Sequence, residues 1–388
     1  MSRRSSSFRR WLAIPLLGVA LSLVVAGSAQ ATYSVVTKWG GHGDTNGRFD
    51  GISGVATANG SVYAGDFHNY RVQKFSDTGV FANAWPTGSV VSPYDVAVAG
   101  NAYYVPVCTF DAGIEKYNAS TGALTGSFGP DGEGNGQLAC AEAVTTSRNG
   151  SIVYVADTGN DRIQMFSPSG TWYGKWGTFG HNNGQFSGPG GVATAPNGNV
   201  YVADTHNARI QEFTADGTFI KQWAIPGDYY PTGIAVDSHG FVYVAAEHVF
   251  KYTATGKFLE AVGAAQIYAP EDVAVDTADN VYIADGDNDQ VQKFAFVKKP
   301  PHSILPPKIT GQPHVGSNLT CKPGTWSGSL PIAYSYKWFR NGSQIAGATT
   351  SRYEPKSADK GKQLKCQVTG KNAYGTATSK QSAGVTVT

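Results

Sequence analysis

The sequence predicts an all-β fold: a closed ring of six four-stranded sheets, followed by a smaller second β domain. A repeating unit and its turn signals predict the ring. A unit recurs six times along the chain, and its better copies hold four short strand-like runs divided by turn residues. Past residue 308 a Cys–Trp–Cys pattern on alternating strand-like runs predicts the second domain. Composition agrees, since Gly (48) and Tyr (20) are abundant and Met (2) is scarce, as in a turn-rich β chain.

The clearest copies run from Gly188 to Trp223 (GPGGVATAPNGNVYVADTHNARIQEFTADGTFIKQW) and from Cys140 to Trp176 (CAEAVTTSRNGSIVYVADTGNDRIQMFSPSGTWYGKW). Turns fall at Asn149-Gly150 and Asn197-Gly198, at an Asp-x-x-Asn loop, and at a Ser-Gly or Asp-Gly pair. One such sheet is too small to stand alone, so neighbours must stack. Further copies lie at Gly51 to Trp85, Tyr94 to Gly129, Tyr230 to Gly263 and Ala269 to Phe296. The last stops after three strands, and Tyr33 to Gly40 (YSVVTKWG) matches the fourth strand of the better copies, so the start of the chain can complete the sixth sheet and close the ring.

VYVADTGNDRIQMF and VYVADTHNARIQEF resemble NHL repeats, as do the connecting loops WGGHGDTNGRF, WGTFGHNNGQF and the variant FGPDGEGNGQL. The resemblance covers Tyr33 to about Val297 and implies a six-bladed NHL-type β-propeller, a fold that carries many unrelated functions. Residues 298–308 (KKPPHSILPPK) read as a semi-rigid Pro-rich linker. Residues 309–388, with Cys321, Trp338 and Cys366, resemble a bacterial immunoglobulin-like sandwich. That implies an inter-sheet disulfide packed on the tryptophan, although Leu364 stands where the family's tyrosine is expected.

Residues 1–31 read as a secretory signal peptide: Arg3, Arg4, Arg9 and Arg10, an apolar run from Trp11 to Ala26, then Ala29-Gln30-Ala31. The expectation is a secreted, extracellular chain beginning near Thr32, with no membrane span. The formal charge of +2 includes the four leader arginines, so the remainder is near neutral or slightly acidic, which argues against electrostatic binding of nucleic acid. Export makes Cys108 with Cys140 a candidate disulfide beside Cys321 with Cys366.

Residues with chemical potential fall into three groups. The Asp-x-x-Asn-x-Arg elements (Asp66, Asn69, Arg71; Asp157, Asn160, Arg162; Asp204, Asn207, Arg209) recur copy after copy, which marks them as bracing. Departures from the repeat point elsewhere. Just before the inner strand, where other copies have Ser53-Gly54, Gly190-Gly191 or Thr232-Gly233, three copies carry Tyr94-Asp95, Glu142-Ala143 and Glu271-Asp272. Asp95, Glu142, Glu271 and Asp272 are therefore expected at one mouth of the channel, where oxygen ligands suit calcium and where rim carboxylates otherwise bond backbone or water. Two weaker calcium patterns are Asp131, Glu133, Asn135 and Glu142 in one loop and Asp285, Asp287 and Asp289 in another.

His42, His68, His181, His206 and His248 fall in loops on one expected face. They matter because some similar propellers are zinc-dependent peptidyl-hydroxyglycine lyases, though their spacing closes no ligand set. Three function classes follow. The first is a binding scaffold for an extracellular protein, glycan or small ligand, with Phe67, Tyr70, Phe110, Phe179, Tyr229 and Tyr230 as candidate contacts. The second is a metal-dependent propeller hydrolase or lyase, lactonase-like or peptidyl-hydroxyglycine-lyase-like. The third is a structural component of an extracellular layer. The scaffold ranks ahead, because a rigid ring with variable loops and an accessory domain suits binding, while no complete catalytic set is visible.

Overall fold

A computed structural model describes residues 33–388 apart from 89–91, 109–112, 265, 268, 297–298 and 330. The expected leader and Phe110 lie outside the described residues. Strands dominate, and none of the described helices is long and apolar enough to cross a membrane.

Residues 33–296 build six antiparallel sheets of four strands each. The third sheet, for example, comprises Ala143–Thr146, Val153–Asp157, Arg162–Phe166 and Trp172–Trp176, paired in sequence order. The first strands of successive sheets lie against one another all the way round, that of the sixth sheet returning to that of the first. The second strands explain the stacking. Val153–Asp157, Val200–Asp204 and Val281–Asp285 are buried at every position, because each sheet is covered on both faces by its neighbours. Each buried Val or Ile there contributes about 1.5–3 kcal/mol. Phe49, Leu138 and Phe186, from the glycine-rich connecting loops, are fully buried and plug the seams between sheets.

The sixth sheet draws its outer strand from the other end of the described chain. Tyr33–Gly40 pairs antiparallel with Gln290–Phe296, from Tyr33 opposite Phe296 to Gly40 opposite Gln290. A buried polar chain ties this strand to the fifth sheet. Lys251 Nζ donates to the Tyr33 hydroxyl at 3.0 Å, the Tyr33 and Tyr243 hydroxyls are 2.7 Å apart, and the Tyr243 hydroxyl donates to Asp237 Oδ2 at 3.0 Å. The rings of Phe241, Tyr33, Tyr243 and Phe296 surround the ammonium at 4.5–5.2 Å. Burial pulls the Lys251 ammonium below its ordinary pKa, opposed by the charges of Glu260, Asp237 and Asp279. Tyr33→Phe leaves that ammonium short of an acceptor and is expected to lower stability by roughly 1–3 kcal/mol in urea unfolding. A change below about 0.5 kcal/mol, the range of neutral surface substitutions, would show that the chain of hydroxyls does not hold the strand.

Beyond the ring, His302–Leu305, within the Pro-rich stretch, pairs with Thr325–Ser327. One sheet holds Lys308–Thr310, Leu319–Lys322 and Arg352–Tyr353; another is built on Ala333–Arg340 and Gln363–Asn372. Disulfide Cys321–Cys366 joins these two sheets, and Trp338 is fully buried in the same cluster as Leu319, Leu364 and Val368. Leu364 fills the position where the family tyrosine was expected. The Trp338 indole N–H donates to the Thr350 carbonyl at 3.0 Å, so the large ring is buried without an orphaned donor.

Candidate functional site

The Asp-x-x-Asn-x-Arg elements are structural brackets. Asp66, Asp157 and Asp204 end the second strands of their sheets with no exposed surface, and each accepts from its arginine Nε at 2.6 Å. Each also accepts from the asparagine of the loop and from a glutamine two residues past the arginine: Gln73, Gln164 and Gln211. The arginines spend their other donors on carbonyls of the connecting loops, as Arg162 does on Glu133, Gly134 and Gln137. That organises the loop from Asp131, whose carbonyl at position 133 serves the bracket, while Glu142 lines the channel instead. The sixth sheet repeats the device without arginine. Asp285 accepts from Asn288 and Gln292, and burial raises its carboxyl pKa. Asp289 turns instead to the first sheet, accepting from the Gly51 and Ile52 N–H groups and from His42. Asp285 and Asp289 are thus committed to separate contacts.

The rigid ring encloses a channel with a cavity of about 830 Å³ lined by residues of all six sheets. Asp95, Glu142, Glu271 and Asp272 all line it. Asp95 Oδ1 accepts from the Val96 N–H at 2.6 Å, and its Oδ2 from the Val144 N–H of the next sheet at 2.9 Å. Asp272 Oδ2 accepts from the Val55 N–H of the first sheet at 2.8 Å. The two aspartates thus bridge sheet two to three and sheet six to one. Glycine makes room for both: a Cβ on Gly54 would stand 2.5 Å from the Asp95 Cα, and one on Gly233 would stand 2.6 Å from the Asp272 Cα. Both carboxylates reach the Gly54–Val55 segment and feel each other. Burial pushes the Asp95 carboxyl up to about 7 against the pull of its two N–H donors. Burial, and then the charge of Asp95, pushes Asp272 well above the usual carboxylate range. Glu142 is half-buried and Glu271 exposed, with Phe67, His68 and Tyr94 in the same lining.

The four acids share one cavity, yet no three of them bring ligating oxygens within reach of a single ion. Nor do the loop histidines gather. His42 meets Asp289 at 2.9 Å, His68 meets Asp50 at 3.1 Å, His181 bonds Asn207, His206 faces the Tyr230 ring and His248 the Phe250 ring. Of the candidate aromatics, Phe67 packs edge-on to Tyr94 at 5.0 Å in the cavity wall, whereas Tyr70, Phe179, Tyr229 and Tyr230 are exposed outside it. Cys108 and Cys140 form a disulfide between the second and third sheets. Among the described residues, one group of metal-type side chains does converge, and it lies elsewhere: Asp237, His239 and Asp279. Sequence reasoning passed over it because its members sit in turns of two different sheets. The available signal was an aspartate, Asp279, at a left-handed turn position that other copies give to glycine.

Three family models match the chain in part. Residues 132–232 match the SMP-30/gluconolactonase/LRE-like region, residues 218–247 a β-propeller repeat, and residues 268–294 the NHL repeat. No curated protein matches the sequence. Among solved structures, the chain is similar to a protein of unknown function from Bacteroides thetaiotaomicron, with TM-score 0.53, 18% identity, and 68% of this chain and 75% of that one covered. It is also similar to a gluconolactonase from Xanthomonas campestris, with TM-score 0.51, 15% identity, and 64% and 86% covered. A streptogramin B lyase aligns at TM-score 0.49 and 14% identity over 63% and 93%. At such identities the likeness is one of fold, and the chain is an all-β protein of β-propeller type carrying an NHL repeat.

Proposed function

We propose that this protein is an exported six-bladed NHL-type propeller with a C-terminal immunoglobulin-like module, and that it binds a small hydroxyl-rich ligand, such as the end of a glycan, at the acidic mouth of its channel. The observation that carries this is the cavity of about 830 Å³ with Glu142 and Glu271 in its wall beside Tyr94 and Phe67. Its size falls within the range of small-molecule sites. Carboxylates accept hydrogen bonds from sugar hydroxyls, and an aromatic wall offers an apolar face to a sugar ring. Six sheet repeats support the propeller reading, and two disulfides with the signal-like residues 1–31 support the exported one.

Calorimetric titration with a panel of neutral and amino sugars is the test. Glu142→Gln with Glu271→Gln is expected to weaken binding at least about tenfold, one charged hydrogen bond's worth, with the melting temperature nearly unchanged. A panel that gives no binding, or a double variant that binds as the parent does, would overturn the reading.

A second reading, a lactonase-like propeller hydrolase, is favoured by the match of residues 132–232, which include Glu142, to a gluconolactonase-type region. Its metal does not fit the acids as they stand, since Asp95 and Asp272 already accept main-chain N–H groups and no three ligating oxygens converge. Binding therefore ranks ahead. Metal-dependent opening of a sugar lactone that is lost with chelator would reverse that order.

A further inference from the structure

Asp237, His239 and Asp279 sit on the opposite side of the ring from the acidic mouth. Asp237 and His239 lie in the turn between Ile234–Val236 and Val242–Ala245, and Asp279 in the turn between Pro270–Val275 and Val281–Asp285. In an antiparallel sheet these turns fall at the far end from the residues that enter the first strand. One ligating atom from each of the three side chains lies within 4.8 Å of the others.

Comparison of the two turns shows what is unusual. Asp276 is the counterpart of Asp237 in the sixth sheet, and both are fixed by the same turn. Asp237 accepts from the His239 and Phe241 N–H groups at 2.9 Å and from the Tyr243 hydroxyl at 3.0 Å. Asp276 accepts likewise from the Ala278 and Asn280 N–H groups and from the Tyr282 hydroxyl. Asp276 has one donor more, the Asn280 amide at 2.7 Å, where the fifth sheet has Phe241. Asp237 Oδ2 thus keeps a lone pair that its counterpart spends.

Asp279 stands out independently. It holds φ +65 where the fifth sheet has Gly240 at φ +84, a conformation in which only glycine, asparagine and aspartate are common. Its Oδ1 is enclosed and accepts no hydrogen bond. That oxygen lies 3.3 Å from His239 Nδ1, an ion-pair distance when the imidazole is protonated, and the same nitrogen lies 3.3 Å from Ser238 Oγ. Two ligands at about 2.0 Å from a tetrahedral zinc are separated by about 3.3 Å, so the pair has the spacing of one edge of such a site. Arg148 reaches this turn through the main chain, its Nη2 donating to the Asp237 carbonyl at 3.1 Å.

We propose that Asp237, His239 and Asp279 bind a divalent cation of the zinc type, one imidazole and two carboxylates with a fourth position open to water, which staples the fifth sheet to the sixth. Mixed imidazole and carboxylate ligation suits zinc, and an enclosed carboxylate oxygen that accepts no hydrogen bond, beside a neutral imidazole nitrogen, is what an ion would satisfy. The site is separate from the channel mouth and adjoins the Tyr243–Tyr33–Lys251 chain that ties in the N-terminal strand.

Calorimetric titration of the purified protein with zinc chloride, paired with thermal unfolding, tests it. One zinc per chain is expected, with a rise in melting temperature. His239→Ala changes an exposed side chain, and Asp279→Asn keeps a residue that tolerates the left-handed turn; each is expected to weaken zinc binding by about 100-fold and remove the thermal gain. Glu142→Gln with Glu271→Gln is expected to leave both unchanged. Absence of zinc binding at millimolar concentration, zinc binding unaltered in both turn variants, or loss of binding in the channel variant instead would each overturn the proposal.

Discussion

Asp204→Ala is expected to lower the stability of the ring by about 3–5 kcal/mol, the cost of leaving a buried cation without its partner. Asp204 has no exposed surface and accepts from Ser187 N–H, Asn207 Nδ2, Arg209 Nε and Gln211 Nε2 at 2.6–3.0 Å. Arg209, itself buried, keeps contacts to the His181, Asn182 and Gln185 carbonyls and to Gln222, but these are neutral acceptors. Removing the carboxylate strands a guanidinium and releases the connecting loop that Arg209 holds. Asp285→Ala supplies the comparison. Gln290 stands where the arginine would be, so only amide donors lose their acceptor, and the expected loss is about 1–2 kcal/mol. Urea unfolding of both variants measures the difference. Equal losses would show that the arginine contributes no more than an amide, and the bracket would then be a packing device instead of an ion pair.

That contrast also explains what could be read from the sequence. The bracket is legible because the first, third and fourth sheets meet the same geometric demand with the same residue types at the same spacing, and the sixth repeats it without arginine. Asp95 and Asp272 are legible as anomalies for the same reason, since the repeat supplies glycine or alanine at their position. Their roles are not legible. Whether such a side chain meets a ligand or the N–H of the next sheet depends on how closely two sheets approach. That approach is set by the absence of a Cβ at Gly54, which makes room for Asp95 to reach the Val144 N–H, and at Gly233, which makes room for Asp272 to reach the Val55 N–H, so that each glycine stands on a different sheet from the N–H its aspartate bonds. The loop histidines show the opposite case: they share a type of loop, yet each is absorbed by a neighbour of its own sheet or the adjoining one. The turn cluster at Asp237, His239 and Asp279 escaped because proximity across a seam leaves no spacing to recognise.

The aspartate pair in the channel sets the pH dependence of stability. Both carboxyls have folded pKa values above the unfolded one, Asp95 at about 7 and Asp272 well above the usual carboxylate range, so the folded chain holds protons that the unfolded chain has released. Their stabilising contribution is complete below about pH 4, where both states are protonated, and is lost as pH rises through about 7. A loss on the order of 2–4 kcal/mol is expected between about pH 4.5 and 8 in urea unfolding, because a tenfold difference in proton affinity between folded and unfolded chains corresponds to about 1.4 kcal/mol and solvent in the channel screens part of it. Asp95→Asn with Asp272→Asn removes both titrations while leaving a carbonyl oxygen to accept the Val144 and Val55 N–H groups, so the double variant is expected to lose most of that slope. A parent protein whose stability rises steadily to about pH 8, or a double variant with the parent's slope, would show that the two carboxyls ionise independently of folding. Calcium provides the remaining control. A cation seated between the two carboxylates would favour their ionised forms and flatten the slope in the parent alone, whereas a slope indifferent to calcium leaves the pair as proton-holding bridges between sheets and assigns ligand recognition to Glu142 and Glu271.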